Sequence, residues 1–192
     1  MICLLLLRHG ESEWNLTGRV QGQAPGVQLT DRGWEQARQA AAALRGSGAS
    51  RLLASDLLRA QQTAQVIAQE LGLPVTSASE LREQALGELE GWAWRDLREE
   101  PTPPGVHINE VRWGGGESVA DMYARLTGFC ERLLAQADGE TVALVTHAGT
   151  IQVLRAVLAD QGHRDVDWEP VELARVYSAA LVELVHRTPS GL

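Results

Sequence analysis

The sequence predicts an α/β fold, a three-layer α/β/α sandwich on a mainly parallel central sheet. Two observations carry this expectation. The runs ICLLLL at residues 2–7 and TVALVT at 141–146 are strand-like and show no polar alternation, as suits strands covered on both faces. Between and after them, strand signals alternate with amphipathic helical ones, the order that builds βα units. Each run is followed closely by a histidine, His9 or His147.

Taken in order, Ile2 to Leu7 is the first strand, and a polar, glycine-rich loop follows to about Leu29. Thr30 or Asp31 caps a helix running to about Arg45, with Trp34, Ala37, Ala41 and Leu44 on one face. GSGAS ends it. Arg51 to Ala54 is a short strand, and a helix capped by Ser55 or Asp56 runs on to a stop at Gly72. A third strand is expected near Pro74 to Thr76. Residues 79–116 hold three of the six tryptophans, with weak periodicity, and read as an insertion of short helices and loops roofing the sheet edge. ESVADMYARLTGFCERLLAQA is a strong amphipathic helix, the run at 141–146 is the next strand, and a helix spans about Gly149 to Asp160. Val171 to Val176 and Ala179 to His186 are expected as a closing pair of strands. Residues 1–192 are read as one domain, with no repeat, low-complexity tract or linker.

Composition narrows the function classes. The formal net charge of −8 argues against nucleic-acid or acidic-membrane binding, so an anionic ligand needs positive charge concentrated at its site. All 17 basic residues are arginine, which removes lysine-based phosphate loops, Schiff bases and Ser-x-x-Lys nucleophiles. Cys3 and Cys130 form no C-x-x-C pair and read as reduced core residues. The first apolar run is too short for a signal-peptide core or a membrane span. A cytoplasmic protein is expected, with a homodimer as the assembly of first resort.

The chemistry-bearing residues converge on one predicted place. In parallel α/β sheets, ligands bind at the carboxyl ends of the strands. Arg8-His9 and His147 follow two strand ends, Ser55 and Asp56 end another, and Arg59 lies one turn into the next helix. Two histidines and two arginines thus share one sheet edge, and neither arginine has a carboxylate partner evident in sequence.

The segments LLLLRHGESEWN, GRVQGQ, LTDRGWEQA, ASDLLRAQQTA, LREQALGELEG, GGGES and LVTHAGT, in this order from residue 3 to about 155, resemble the histidine phosphatase superfamily, also called the phosphoglycerate mutase-like family. Arg8-His9-Gly10 alone is a weak signal; the ordered set in its strand and helix context is specific. One departure is Ala148, where many members have glycine; Gly149 still offers a close-approach backbone position.

Arginine forks suit a phosphomonoester dianion, so Arg8 and Arg59 are expected to hold phosphate, with donors from Asn15, Gln21 and Gly22. An unprotonated His9 nitrogen attacks phosphorus and forms a phosphohistidine, its other nitrogen fixed by a backbone carbonyl. His147 stabilises the charge of the transferring group. The resemblance places the proton donor at Glu83, with Glu88 and Glu90 as neighbouring alternatives. It implies no metal or other cofactor and a small phosphorylated substrate; sugar phosphates, α-ribazole phosphate, phosphoglycerates, nucleotides and phosphoproteins occur among members. GELEGW is more like the phosphatase branch, and the segment 87–116 is short, with Arg95, Arg98 and Arg112 as its basic residues. A phosphatase is therefore expected ahead of a phosphoglycerate mutase, a catalytically silent phospho-ligand binder, or a metal-dependent hydrolase. Trp92, Trp94 and Trp113 either line an apolar part of the substrate pocket or pack the insertion onto the sheet. His107, His163 and His186 read as surface or structural residues.

Overall fold

The computed structural model describes residues 1–98, 101–136 and 139–181. Its five strands are β1 (Ile2–Arg8), β2 (Ala49–Ala54), β3 (Val75–Ser77), β4 (Thr141–Thr146) and β5 (Val176–Leu181), in the sheet order β3-β2-β4-β1-β5. All pairings are parallel except β1 with β5. The expected mainly parallel sheet is therefore present, closed by one antiparallel edge strand.

The helices are α1 (Glu13–Leu16), α2 (Asp31–Ala43), α3 (Leu58–Leu71), α4 (Val119–Gln136) and α5 (Ala148–Leu158). Side chains alternate across the strands, which divides the core in two. Leu4, Leu6, Val142 and Leu144 pack against α4 and α5 through Met122, Leu126, Ile151 and Leu154. Leu7, Leu52, Ala54, Ala143 and Val145 pack against α2 and α3 through Ala40, Leu44, Ala64 and Ile67. The connections through α2 and α3 run away from β1 and those through α4 and α5 run back, so right-handed crossovers place the two helix pairs on opposite faces.

Several local expectations are corrected. Thr30 does cap α2, accepting from the Gly33 N–H at 3.0 Å. Helix α3 instead has Leu57 at its N-cap and no side-chain cap, because Ser55 and Asp56 have other partners, while Gly72 ends it in the left-handed conformation. Strand β3 starts one residue later than expected, at Val75. Residues 171–175 form no strand; the closing strand is β5, and expectations for residues 182–186, His186 included, lie outside the described residues. Cys3 is exposed near the start of β1, so only Cys130 is a core thiol, and burial pushes Cys130 up to about 12. The loop after β1 contains α1, whose four residues were too few for a periodic signal. The insertion is a chain of single 3-10 turns between residues 79 and 115. Among the described residues, no helix is long and apolar enough to cross a membrane.

Candidate active site

Strand register brings the site together. Arg8 pairs with Thr146 and Ala54 with Val145, so the residues after β1, β2 and β4 emerge side by side. The His9 N–H continues the ladder to the Thr146 carbonyl at 2.9 Å, and the Ser55 N–H to the Val145 carbonyl at 2.9 Å. The two imidazole centroids lie 5.2 Å apart, edge to face.

His9 is buried, and its Nδ1 lies 2.7 Å from the Gly10 carbonyl. A carbonyl only accepts, so Nδ1 carries the proton and Nε2 keeps its lone pair. The Gly10 N–H is itself fixed on Thr63 Oγ1 at 3.1 Å. His147 Nε2 lies 2.9 Å from Ser55 Oγ, while its buried Nδ1 has no partner. Ser55 Oγ already accepts from the Leu57 N–H at 3.3 Å, which leaves its own hydrogen for His147 Nε2. That assignment puts the imidazole proton on Nδ1 as an unused donor. Ser55, placed at this sheet edge by the sequence and read there as a helix cap, is thus a partner of His147.

Both imidazoles are held well below the usual histidine range, first by burial, then by Arg59, with Arg8 adding to both. They are neutral at pH 7. Unfolding exposes them, so the unfolded chain takes up protons below about pH 6.5 that the folded chain refuses. Stability full at pH 7.5 is therefore lost as pH falls below that value, by up to about 1.4 kcal/mol per pH unit for each histidine. Asp56 is held low by Arg82, and Glu110 by His163 and Arg164. These carboxylates add their losses only below about pH 4.5. Urea unfolding at pH 7.5 and 5.5 checks this: a His9→Gln/His147→Gln chain should show a flatter dependence over that window.

Arg59 is fully buried on α3, and its hydrogen bonds go to backbone carbonyls. Its Nη2 donates to the Gly22 carbonyl at 2.8 Å and its Nη1 to the Ala24 carbonyl at 3.1 Å. Burial pushes this guanidinium down to about 10, against the pull of Glu83 and Glu90. Asp56 instead pairs with Arg82 at 2.6 Å, which removes it as a partner for Arg59. Arg8 Nη1 donates to the Val171 carbonyl at 2.7 Å, and burial lowers its guanidinium as well. The Nε atoms of both arginines are buried without a partner.

A cavity of about 270 Å³ is lined by Arg8, His9, Asn15, Gln21, Gly22, Arg59, Glu83 and Gly149, with Arg19, Gln84, Leu86, Trp94 and Ala148 completing its wall. Ser12 Oγ lies 2.9 Å from both Asn15 Oδ1 and Gln21 Oε1. The Ser12 N–H donates to Asn15 Oδ1 at 3.0 Å and the single hydroxyl hydrogen serves Gln21 Oε1, so both amide oxygens are occupied and their NH₂ groups remain as donors. Arg19 was not singled out in sequence, although it sits in GRVQGQ, two residues before Gln21.

Among the three candidate acids, Glu83 alone lines this cavity. Its Oε1 accepts from the Gln84 N–H at 3.0 Å and its Oε2 from the Gly149 N–H at 3.1 Å. Glu90 is a structural staple that accepts from the Gln23 and Leu86 N–H groups. Glu88 lines a neighbouring cavity. A Cβ on Gly149 would stand 2.5 Å from Glu83 Oε1. Gly149→Ala should therefore displace the carboxylate and lower kcat/KM on an alkyl phosphate by about tenfold or more, with the fold intact by circular dichroism. An unchanged rate would show that Glu83 tolerates the shift.

The neighbouring cavity, about 920 Å³, is lined by Leu86, Leu89, Trp92, Trp94, Leu97, Ile108 and Trp113, with Arg98 and Glu88 as its charged members. It shares Gln84, Leu86 and Trp94 with the first. Trp92 and Trp94 are 52% and 57% exposed, so they are not consumed in packing the insertion onto the sheet. His107 caps a turn through the Asn109 N–H, and His163 pairs with Glu110, both away from the site. Among the described residues, no three His, Cys, Asp or Glu side chains converge as a metal-binding group.

The chain has relatives in sequence and in fold. Phosphoglycerate mutase-like protein 4 of Arabidopsis thaliana is 34% identical over 158 residues, covering 79% of this chain and 68% of its own length. A mycobacterial glucosyl-3-phosphoglycerate phosphatase solved with VO3 is 29% identical, with a TM-score of 0.80 over 92% of this chain and 91% of its own. A phosphoserine phosphatase variant of Entamoeba histolytica, solved with phosphoserine, is 26% identical with a TM-score of 0.78 over 93% and 90% of the two chains. The family model described as histidine phosphatase superfamily (branch 1) matches residues 4–183, a span that takes in both strand-end histidines, Arg59 and the Glu83 segment, and the chain belongs to that superfamily.

Proposed function

We propose that the protein is a metal-independent phosphomonoester hydrolase that works through a phosphohistidine on His9. One observation carries the reading. Among the described residues, four buried side-chain polar atoms lack a hydrogen-bond partner, and three of them are Arg8 Nε, Arg59 Nε and His147 Nδ1. The fourth, Glu140 Oε2, has Arg51 at 3.7 Å. Buried donors left unpaired around one nucleophile are the complement of a ligand that brings acceptors and negative charge.

In this reading the phosphoryl oxygens take those donors together with the amides of Asn15 and Gln21 and the backbone at Gly22. His9 Nε2 forms the N–P bond as the P–O bond to the alcohol breaks. Glu83 gives its proton to the departing alkoxide, held in place by the Gly149 N–H. His147 donates from Nδ1 to the transferring group. Water then attacks phosphorus, Glu83 takes its proton, and the N–P bond breaks to release inorganic phosphate and free His9. The two guanidiniums supply the positive charge and repel a metal cation. The alcohol part of a small phosphorylated substrate extends past Trp94 toward Trp92 and Trp113, which suits an apolar or ring-bearing leaving group.

The phosphatases among the solved relatives support hydrolysis. So do the three basic residues of the insertion: Arg112 is tied to Asp121 at 2.8 Å, Arg95 lies 3.8 Å from Asp96, and Arg98 lines the neighbouring cavity. None of them lines the phosphate cavity, where a mutase would hold its substrate's second acidic group. Phosphate release is the test, measured in excess EDTA on phenyl and 2-naphthyl phosphates, beside a phosphoglycerate mutase assay. Hydrolysis should survive EDTA and exceed mutase turnover, and Trp94→Ala should remove any preference for the larger ester. Mutase turnover above hydrolysis, or loss of hydrolysis in EDTA, would overturn the reading.

A further inference from the structure

The GGGES segment takes no part in the chemistry above, yet it lies against the segment that carries Glu83. Glu83 sits between two 3-10 turns, outside any helix or strand, so its backbone is placed by contacts from other elements, among them Thr150 Oγ1 of α5, which donates to the Arg82 carbonyl at 2.8 Å. On its C-terminal side the contacts come from the residues that lead into α4. The Glu117 N–H donates to the Ala85 carbonyl at 2.8 Å, and Glu117 Oε2 accepts from the Ala85 N–H at 3.1 Å. The Gln84 amide donates to the Glu117 carbonyl at 2.8 Å. The glycines permit this approach: a Cβ on Gly116 would collide with the Ala85 carbonyl, and one on Gly114 with the Leu86 carbonyl.

The other side of Glu83 is gripped by the same device. Arg125, two turns into α4, forks onto Glu117 with Nε to Oε1 at 3.0 Å and Nη2 to Oε2 at 2.9 Å. Its remaining Nη1 donates to the carbonyls of Glu80 and Arg82. Gln23, from the loop that follows Gly22, donates to the Glu83 carbonyl at 3.0 Å and to Glu117 Oε2 at 3.2 Å. One ion pair, with side chains 17% and 24% exposed, therefore binds the chain before and after Glu83 and ties it to the phosphate loop. Neither partner lines the phosphate cavity.

We propose that the Glu117–Arg125 pair is the positioning element of Glu83: it sets where the carboxyl meets the leaving oxygen and contributes nothing to phosphate binding. The inference rests on the reading of Glu83 as the proton donor. An irregular segment has many near-equal placements, whereas an 18-residue helix packed on the sheet has one, and the ion pair transfers that definition to the acid.

The test uses leaving groups. An alkyl alkoxide needs a proton as it departs, while nitrophenolate leaves with little help. The constant kcat/KM reports the steps up to leaving-group departure, so it is compared for 2-phenylethyl phosphate and p-nitrophenyl phosphate in the wild type and in the variants Glu83→Gln, Glu117→Gln, Arg125→Lys and Gln23→Ala. Glu83→Gln should lose about 100-fold on the alkyl ester and far less on the nitrophenyl ester. Glu117→Gln and Arg125→Lys should follow the same pattern at about tenfold, with Gln23→Ala showing it more weakly. The lysine variant keeps the positive charge that Arg125 places near His147 and loses only the fork. If one ion-pair variant fails to fold, the other and Gln23→Ala still give the pattern.

Equal losses on both esters in the positioning variants, beside a leaving-group-dependent Glu83→Gln, would reduce the pair to a structural role and overturn the proposal alone. Equal losses in Glu83→Gln itself would overturn the acid assignment and the proposal with it.

Discussion

Replacing His9 by alanine should remove turnover of p-nitrophenyl phosphate by about 10⁴-fold or more, measured in excess EDTA with the fold checked by circular dichroism. The size of the loss follows from what the side chain does. In the proposed mechanism His9 Nε2 is the nucleophile: its lone pair is kept free by the Nδ1 contact to Gly10, and the imidazole is held neutral by burial and by two guanidiniums. Alanine leaves the arginines and donors in place, so inorganic phosphate should still bind and raise the unfolding temperature of the variant. Brief incubation of wild type with labelled substrate and an alkaline quench should leave a protein-bound phosphoryl group that acid releases, the behaviour of an N–P bond. A variant that keeps a substantial part of the wild-type rate would show that phosphorus is attacked by something other than His9.

The second large effect is expected at Arg59. This guanidinium is fully buried and paired with backbone carbonyls only. Burial pushes it down to about 10 from the ordinary arginine value, equivalent to about 3 kcal/mol of cost for keeping the charge. A bound dianion offsets that cost, which is why the cation is more useful in the site than in the empty fold. Arg59→Met should lower kcat/KM by about 3 to 4 kcal/mol, or about 10² to 10³-fold. Inorganic phosphate at 100 times its dissociation constant should stabilise the wild type by about 2.7 kcal/mol and the variant, at the same concentration, far less. If phosphate protects both equally, Arg59 serves only to hold the Gly22 and Ala24 carbonyls, and the anion is bound elsewhere.

The sheet was legible in sequence because its signals are local. Uninterrupted apolar runs over 2–7 and 141–146 have no other stable place than a covered strand, and Gly72 and Thr30 mark helix ends through their own backbone and hydroxyl chemistry. Where the reading failed, competition between partners was the cause. Ser55 looks like a helix cap, yet its hydroxyl accepts from the Leu57 N–H and faces His147 across 92 residues of chain. Cys3 belongs to an apolar run, but the outer part of β1 leaves it exposed. Helix α1 is held by reciprocal contacts between Ser12 and Asn15, which leave no periodic trace in so few residues.

The sequence alone singled out Arg8, His9 and His147 at strand ends and Arg59 at the start of α3, each in a motif whose residue types suit a phosphoryl group. It put Glu83 first with Glu88 and Glu90 as alternatives, and the tertiary structure brings only Glu83 of the three onto the phosphate cavity. All three lie within eight residues of one another in an irregular segment, where no period fixes which way a side chain points. Glu83 and Glu90 are aimed with the help of distant chain: the Gly149 N–H at the start of α5 holds Glu83, the Gln23 N–H after the phosphate loop holds Glu90, and Glu117 and Arg125 hold the backbone on either side of Glu83. Strand ends announce themselves because the strand that positions them is local; a carboxylate held by three distant pieces of chain acquires its place only when the chain has folded.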